Sequence, residues 1–464
     1  MTVTLALALM LQLAAVLLLR HSLGRAWLRR PVVVLVLISC VYDGLTQLLM
    51  LSPSVAAQNA YRNGIAPQFI PEANLLLSGC MLAFTAAYLL TRPERSVPGG
   101  SAPAADLARA LDWRWLAAAS VPLAILTYVG KGYNTDAAQG PQTALGTSLA
   151  ASFLLLLVTL AAAGLVLRRG PKWAFPALLG QSAVLAAAGE RTPVIACGAA
   201  LVLVLGHAGV RVPRNLVALG AVMVAVAVLA ITGSRVTQGR GVYYTDTGAS
   251  GRISALSSGI TAAGSTRSLE AQAAVRLDGV SFTAAVLQAQ ALGDPLLPAS
   301  YVPGSLLEVV PSFLWPSKLG HSGDLAVVQQ VINDDGLQQT NYLPGLAGTY
   351  AGFLSAPWLA AFMALLGWLC GLGERRLLVR CTPARLVLLA AAVQAAFLFD
   401  AGLPAMAVTM RSALVVAVAV RLATALRARR QENSAAAAGC ALQPSHHGLS
   451  SAGFGSPPRR STPR

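Results

Sequence analysis

TVTLALALMLQLAAVLLLRHSLGRAWLRRPVVVLVLISC, residues Thr2 to Cys40, places two long apolar runs on either side of a short loop bearing Arg20, Arg25, Arg29 and Arg30. A hydrocarbon core of roughly 30 Å needs about 20 apolar residues in helical form. A backbone crossing it must satisfy its own hydrogen bonds, so two apolar runs hinged on arginines read as a pair of membrane helices. The first run has no basic region before it and no small-residue cleavage site before Arg20, so it reads as a retained helix rather than a cleaved leader.

The same pattern recurs along the chain. Of its 464 residues, 55% are hydrophobic and 11% are charged. That composition excludes a soluble multidomain enzyme and predicts an all-α polytopic membrane protein with about eleven transmembrane helices and one long extracytoplasmic loop. The expected spans are Thr2 to Leu19, Pro31 to Leu51, Ala73 to Leu90, Trp115 to Val129, Leu149 to Leu167 and Trp173 to Ala188. They continue with Thr192 to Gly206, Leu216 to Thr232, Trp358 to Leu372, Leu386 to Phe399 and Ala405 to Val420. Four regions follow: 1–232 with eight helices, 233–344 as the extracytoplasmic loop with short interfacial helices, 345–426 with three helices, and 427–464 as a disordered cytoplasmic tail.

Basic residues collect in alternate loops. After the first loop come Arg92, Arg95, Arg109 and Arg114, then Arg168, Arg169 and Lys172, then Arg211 and Arg214, then Arg375, Arg376, Arg380 and Arg385. The positive-inside rule places these loops in the cytoplasm of a plasma or inner membrane, with the N-terminus outside and the C-terminus inside. The net charge of +16 is thereby a matter of topology and attraction to anionic lipids, and calls for no nucleic acid. Cys40, Cys80, Cys197 and Cys370 fall inside spans and Cys381 and Cys440 on cytoplasmic segments, which leaves no external disulfide or zinc-ligand spacing.

The loop from Gly233 to Pro344 begins with a Gly, Ser and Thr-rich stretch. Its second part, SLEAQAAVRLDGVSFTAAVLQAQAL from Ser268 to Leu292, has apolar residues at helical intervals and predicts a helix lying on the membrane surface. Pro295, Pro298, Pro303, Pro311 and Pro316 then frame short apolar elements around Trp315, like a lid or re-entrant region.

Phosphate-binding loops, dinucleotide fingerprints, serine-nucleophile elbows and HExxH are all missing from the sequence. The positive evidence is charge on the outer side. Arg191 opens a span after Glu190, Arg235 closes one, and Arg411 lies in the outer half of the last. A guanidinium at such depth is costly unless it is paired or functional, and its planar fork suits a pyrophosphate. A lipid-linked sugar pyrophosphate offers that anion, with Arg276 as a further contact. Breaking its glycosyl bond also requires a base, for which Asp278, Glu308, Asp324 and Tyr342 are the candidates. Each residue also has a structural reading: Arg191 snorkelling or paired with Glu190, Arg276 and Asp278 as the polar face of a helix, Glu308 as a local cap or pair, Tyr342 as an interfacial anchor. His321 and Asp324 have metal-compatible spacing, but a solvated histidine is the plainer account, and no metal is assigned. Asp43 and Asp400 read as structural partners of intramembrane arginines.

The order GERTPVIACGAALV, GSR at Gly233 to Arg235, RLDGVSF at Arg276 to Phe282, EVVPSFLWPSKL, and TNYLPGLAGTYAGFLSAPW at Thr340 to Trp358 resembles Wzy-type O-antigen and oligosaccharide repeat-unit polymerases. The resemblance covers about the C-terminal three-fifths of the chain. It implies a metal-independent glycosyltransferase of the GT-C type with no cofactor, whose donor and acceptor are undecaprenyl-pyrophosphate-linked oligosaccharides. Its implied partners are membrane lipids and the chain-length regulator and flippase of a polysaccharide pathway. By the same resemblance Arg191 and Arg235 bind pyrophosphate. Related O-antigen ligases carry a histidine where Tyr342 stands here, a departure that favours polymerase and leaves the base open. A ligase-like or polyprenyl-phosphate-sugar transferase and a polysaccharide or lipid transporter are the alternatives.

Overall fold

A computed structural model describes residues 2–45, 66, 68–91, 108, 111–132, 141–187, 191–210, 213, 215, 218, 222, 279–293, 310, 345–378, 382–399 and 402–441. Among the described residues there are helices and no strand. In chain order these are α1 (Thr2–Leu23), α2 (Pro31–Cys40), α3 (Phe69–Leu90), α4 (Trp113–Gly132), α5 (Pro141–Arg169), α6 (Ala174–Ala187) and α7 (Arg191–His207). They continue with α8 (Ser281–Leu292), α9 (Gly345–Ala351), α10 (Ala356–Leu378), α11 (Pro383–Ala396) and α12 (Gly402–Ala441).

Among the described residues, four stretches are long and apolar enough to cross a membrane: Val3–Leu23, Phe69–Leu90, Ala356–Leu378 and Ala405–Leu426. Pro31–Gly44, Pro193–His207 and Pro383–Ala396 are shorter apolar helices. Large apolar side chains point out of the bundle, among them Leu13, Trp115, Leu126, Trp358, Leu369 and Leu414. A surface of this kind is at home in lipid, and over the described residues the chain is an all-helical membrane protein. The expected span Leu216 to Thr232 lies almost wholly outside the described residues, as does the expected loop 233–344 apart from α8, its flanks and Val310.

Two apolar cores organise the bundle. One joins α1, α2, α3, α8, α9 and α10 around Phe84, Tyr88, Phe282, Tyr350 and Met363. The other joins α5, α6, α7, α11 and α12 around Leu160, Leu201, Val204 and Ala390. With no hydrophobic drive between helices in lipid, close approach depends on small residues. On α10, Gly367 and Gly371 are one turn apart, and α3 lies directly against them. A Cβ at Gly367 would run into the backbone carbonyl of Phe84, and one at Gly371 into the side chain of Thr91. Between α5 and the chain entering α4, Gly164 sits against the carbonyl of Leu111 in the same way.

Arginine-bearing helix ends are gathered by contact. Arg30 begins α2, while Tyr88 and Glu374 lie near the ends of α3 and α10, and the three side chains meet. The 3-10 turn Gly24–Arg29 touches the end of α7.

Two expectations are corrected. The surface helix expected over Ser268 to Leu292 is described from Ser281, and Ser281 to Val286 are buried against α3 and α9. Its small Ser, Thr and Ala side chains permit insertion into the bundle. It ends at Gly293, whose φ of 108° suits glycine at a helix C-terminus. The tail expected to be unstructured from Gln431 continues α12 to Ala441, because the run SAAAAG is rich in the strongest helix former. By packing, the chain divides after Val420, so the last part of α12 belongs to a separate unit, Arg421–Arg464.

Candidate functional site

At the end of α2 remote from Arg30 the helix widens into a π turn, Val41–Leu45. Single π turns within helices recur at functional sites because they re-aim side chains. Asp43 sits on this turn and is 3% exposed. Its Oδ2 accepts a hydrogen bond from the Ser39 hydroxyl at 2.8 Å, one turn earlier on α2. Its Oδ1 lies 2.9 Å from the place a Cβ at Gly279 would occupy, beside Tyr42. Glycine at 279 therefore lets the chain entering α8 come down on the carboxylate.

The neighbouring Gly44 makes a similar approach to α1: the carboxamide oxygen of Gln12 fills the space of its missing Cβ. Gln12 Nε2 donates to Asn74 Oδ1 at 3.3 Å and to Ser78 Oγ at 3.0 Å, and Ser78 Oγ donates to Asn74 Oδ1 at 3.2 Å. All three are buried, and Asn74 Nδ2 has no hydrogen-bond partner among the described residues. On the other flank α8 meets α9 where Thr283 stands against Gly348. Phe399 packs on Gly345 and lies 6.2 Å from Tyr42, ring centre to ring centre.

Residues far apart in sequence meet here: Gly279 lies against Asp43 and Tyr42, while Val280, Phe282, Leu346, Tyr350 and Phe353 belong to one core with Tyr42 packed at its margin. A buried carboxylate is chemically able to accept hydrogen bonds or a proton. Among the described residues no group of three or more His, Cys, Asp and Glu is placed to hold a metal ion.

The chain matches no protein-family model, no curated protein and no solved structure.

Of the expected site residues, Arg191 is the first residue of α7, and Arg411 lies within α12, partly buried. Arg235, Arg276, Asp278, Glu308, Asp324 and Tyr342 lie outside the described residues, as does Asp400. Arg276 and Asp278 immediately precede Gly279 in the chain. The sequence reading treated Asp43 as structural and passed over Gln12 and Asn74. The signal was present, since an ionisable or amide side chain within an apolar span is a functional candidate by default.

A second buried constellation occupies the opposite end of α2. Glu374 accepts from Arg30 Nη1 at 2.8 Å, from the Tyr88 hydroxyl at 2.6 Å, and from the backbone N–H of Val32 at 3.3 Å. Arg30 is 2% and Glu374 4% exposed. Pro31 opens α2 without an N–H to satisfy, and Glu374 serves the next free N–H from another helix. With both charges used up internally, this is a clasp of α2, α3 and α10 and offers nothing to a substrate.

Proposed function

We propose that the chain is a membrane-embedded glycosyltransferase of the repeat-unit polymerase type, acting on lipid-linked oligosaccharides at the outer face of the cytoplasmic membrane through about eleven spans, N-terminus outside and C-terminus inside. The observation that carries this reading is that two of the segments bearing the resemblance meet: Phe282 of the first lies against Gly348 of the second, and Gly279 of the first lies against Asp43.

In this reading Arg191, Arg235, Arg276 and Arg411 hold the pyrophosphate of the donor. The acceptor hydroxyl gives its proton to a carboxylate, its oxygen bonds to the anomeric carbon, and the bond from that carbon to the pyrophosphate oxygen breaks. Undecaprenyl pyrophosphate leaves with its negative charge matched by guanidinium groups. Asp43 joins Asp278, Glu308, Asp324 and Tyr342 as a candidate base.

Chromosomal replacement tests the roles. With Arg235→Ala or Arg191→Ala, polymer disappears and single repeat units accumulate on the lipid carrier. With Asp43→Asn, chain extension falls by roughly a hundredfold or more while protein abundance is unchanged. Normal chain lengths in all three variants, read on a polysaccharide gel, contradict the assignment.

A further inference from the structure

α8 begins deep in the bundle and ends at its surface. Val280 to Ala285 are at most 2% exposed, while Leu292 at the other end is 68% exposed. Its 12 residues make a helix of about 18 Å at about 1.5 Å per residue, too short to cross a core of roughly 30 Å. Two glutamines secure its C-terminal half. Gln288 Oε1 accepts the backbone N–H of Ala66 at 2.7 Å, shortly before α3, and Gln290 Nε2 donates to the Ala351 carbonyl at 3.1 Å, at the end of α9.

The buried end has a different requirement. The first N–H groups of any helix have no carbonyl within it to bond, and the first turn of α8 closes with Ala284 N–H donating to the Val280 carbonyl at 2.9 Å. The N–H groups of Ser281, Phe282 and Thr283 therefore take acceptors from outside the helix, since a buried donor left unpaired is costly. The usual source is the side chain of the residue before the helix. Here that residue is Val280, which makes no side-chain capping bond.

Asp43 stands where the acceptor is wanted. Its Oδ1 lies 2.9 Å from the Cβ position of Gly279, the residue before Val280, and Tyr42 Cβ lies 3.5 Å from the same point. A side chain at 279 would displace the carboxylate from the start of α8. Ser39 donates to the other oxygen, Oδ2, at 2.8 Å, which orients the group. A carboxylate also matches the partial positive charge of a helix N-terminus.

We infer that α8 is a re-entrant helix anchored in the bundle by Asp43, whose carboxylate caps its N-terminus from the π turn of α2. The π turn and Gly279 are two halves of one device: the first presents the carboxylate and the second admits the chain to it. Arg276 and Asp278 stand three and one residues before Gly279, so the anchor fixes the point from which the segment carrying them departs. The anchor holds whether or not Asp43 also takes a proton, because capping needs only an acceptor oxygen.

Amide hydrogen exchange of the full-length protein in lipid nanodiscs tests it, read on peptides from α8 and, as a control, from α11 in the second core. In Asp43→Ala the amides of Ser281 to Ala284 should exchange roughly tenfold faster, the effect of losing one good cap, with α11 unchanged. Gly279→Ala, which displaces the carboxylate without removing it, should act in the same direction. Asp43→Asn keeps an acceptor oxygen and should stay near the parent rate, although it cannot serve as a base. Unchanged α8 exchange in Asp43→Ala or in Gly279→Ala overturns the anchor, and so does an equal rise in α11, the mark of general loosening. An Asp43→Asn rate equal to that of Asp43→Ala overturns the capping role. Chain extension is not read, so failure of the glycosyltransferase reading leaves this result untouched.

Discussion

Glu374→Ala lowers stability by about 3–5 kcal/mol, the usual effect of removing one partner from a buried ion pair. The reason is the charge left behind. Arg30 is 2% exposed, and without Glu374 its guanidinium loses the carboxylate 2.8 Å away. Tyr88 loses an acceptor at 2.6 Å and the first turn of α2 loses the acceptor for Val32 N–H. Glu374→Gln, which keeps shape and removes charge, falls between the parent and the alanine variant. Replacing the whole constellation, Arg30→Met with Glu374→Leu and Tyr88→Phe, recovers most of the loss, because a well-packed apolar set is about as stable as a buried pair. Thermal unfolding of purified protein in detergent checks the series. A single-variant loss within the range of a surface substitution, about 0.5 kcal/mol, contradicts the clasp.

Gly367→Val separates α3 from α10 and costs at least about 1–3 kcal/mol, the range for overpacking a close-fitted interface. A Cβ at this position meets the backbone carbonyl of Phe84, which no rotamer change can move aside. Gly373 lies on the same helix, where a Cβ meets nothing within 4 Å, and Gly373→Ala keeps or slightly raises the unfolding temperature. The paired variants separate interhelical contact from helix propensity, since Ala and Val both have a higher helix propensity than the Gly they replace. Equal unfolding temperatures for parent and Gly367→Val contradict the close approach.

Much of the architecture was legible from residue pattern alone. Apolar runs bounded by arginines or prolines correspond to helices that begin or end within a few residues of them, as in Pro31, Arg191 and Leu90. The α2 run was harder. VYDGLTQLL reads as a continuing span, while the structure turns it into a π turn at Val41–Leu45. That change depends on what packs against Asp43 and Gly44 from α1 and the entry to α8, and neighbours in space leave no mark on a local hydrophobic period. Arg30 was read as a topological charge in a loop, and its partner Glu374 lies far along the chain, so sequence spacing gave no hint of their pairing. None of the residues assigned from sequence to the site is among those described around the π turn; Asp43 was read as structural, and Gln12 and Asn74 gain their significance only from their packing. The arginines assigned to pyrophosphate rest on residue type and resemblance.

The central claim is that this chain joins lipid-linked oligosaccharides. The most direct measurement is incubation of the purified protein, reconstituted in liposomes, with an undecaprenyl-pyrophosphate-linked repeat unit, followed by separation of products by size. A ladder of products spaced by one repeat unit is the predicted result, lost with Arg235→Ala. A single added unit points instead to a transferase or ligase, and unchanged lipid-linked material in the presence of folded protein contradicts the account.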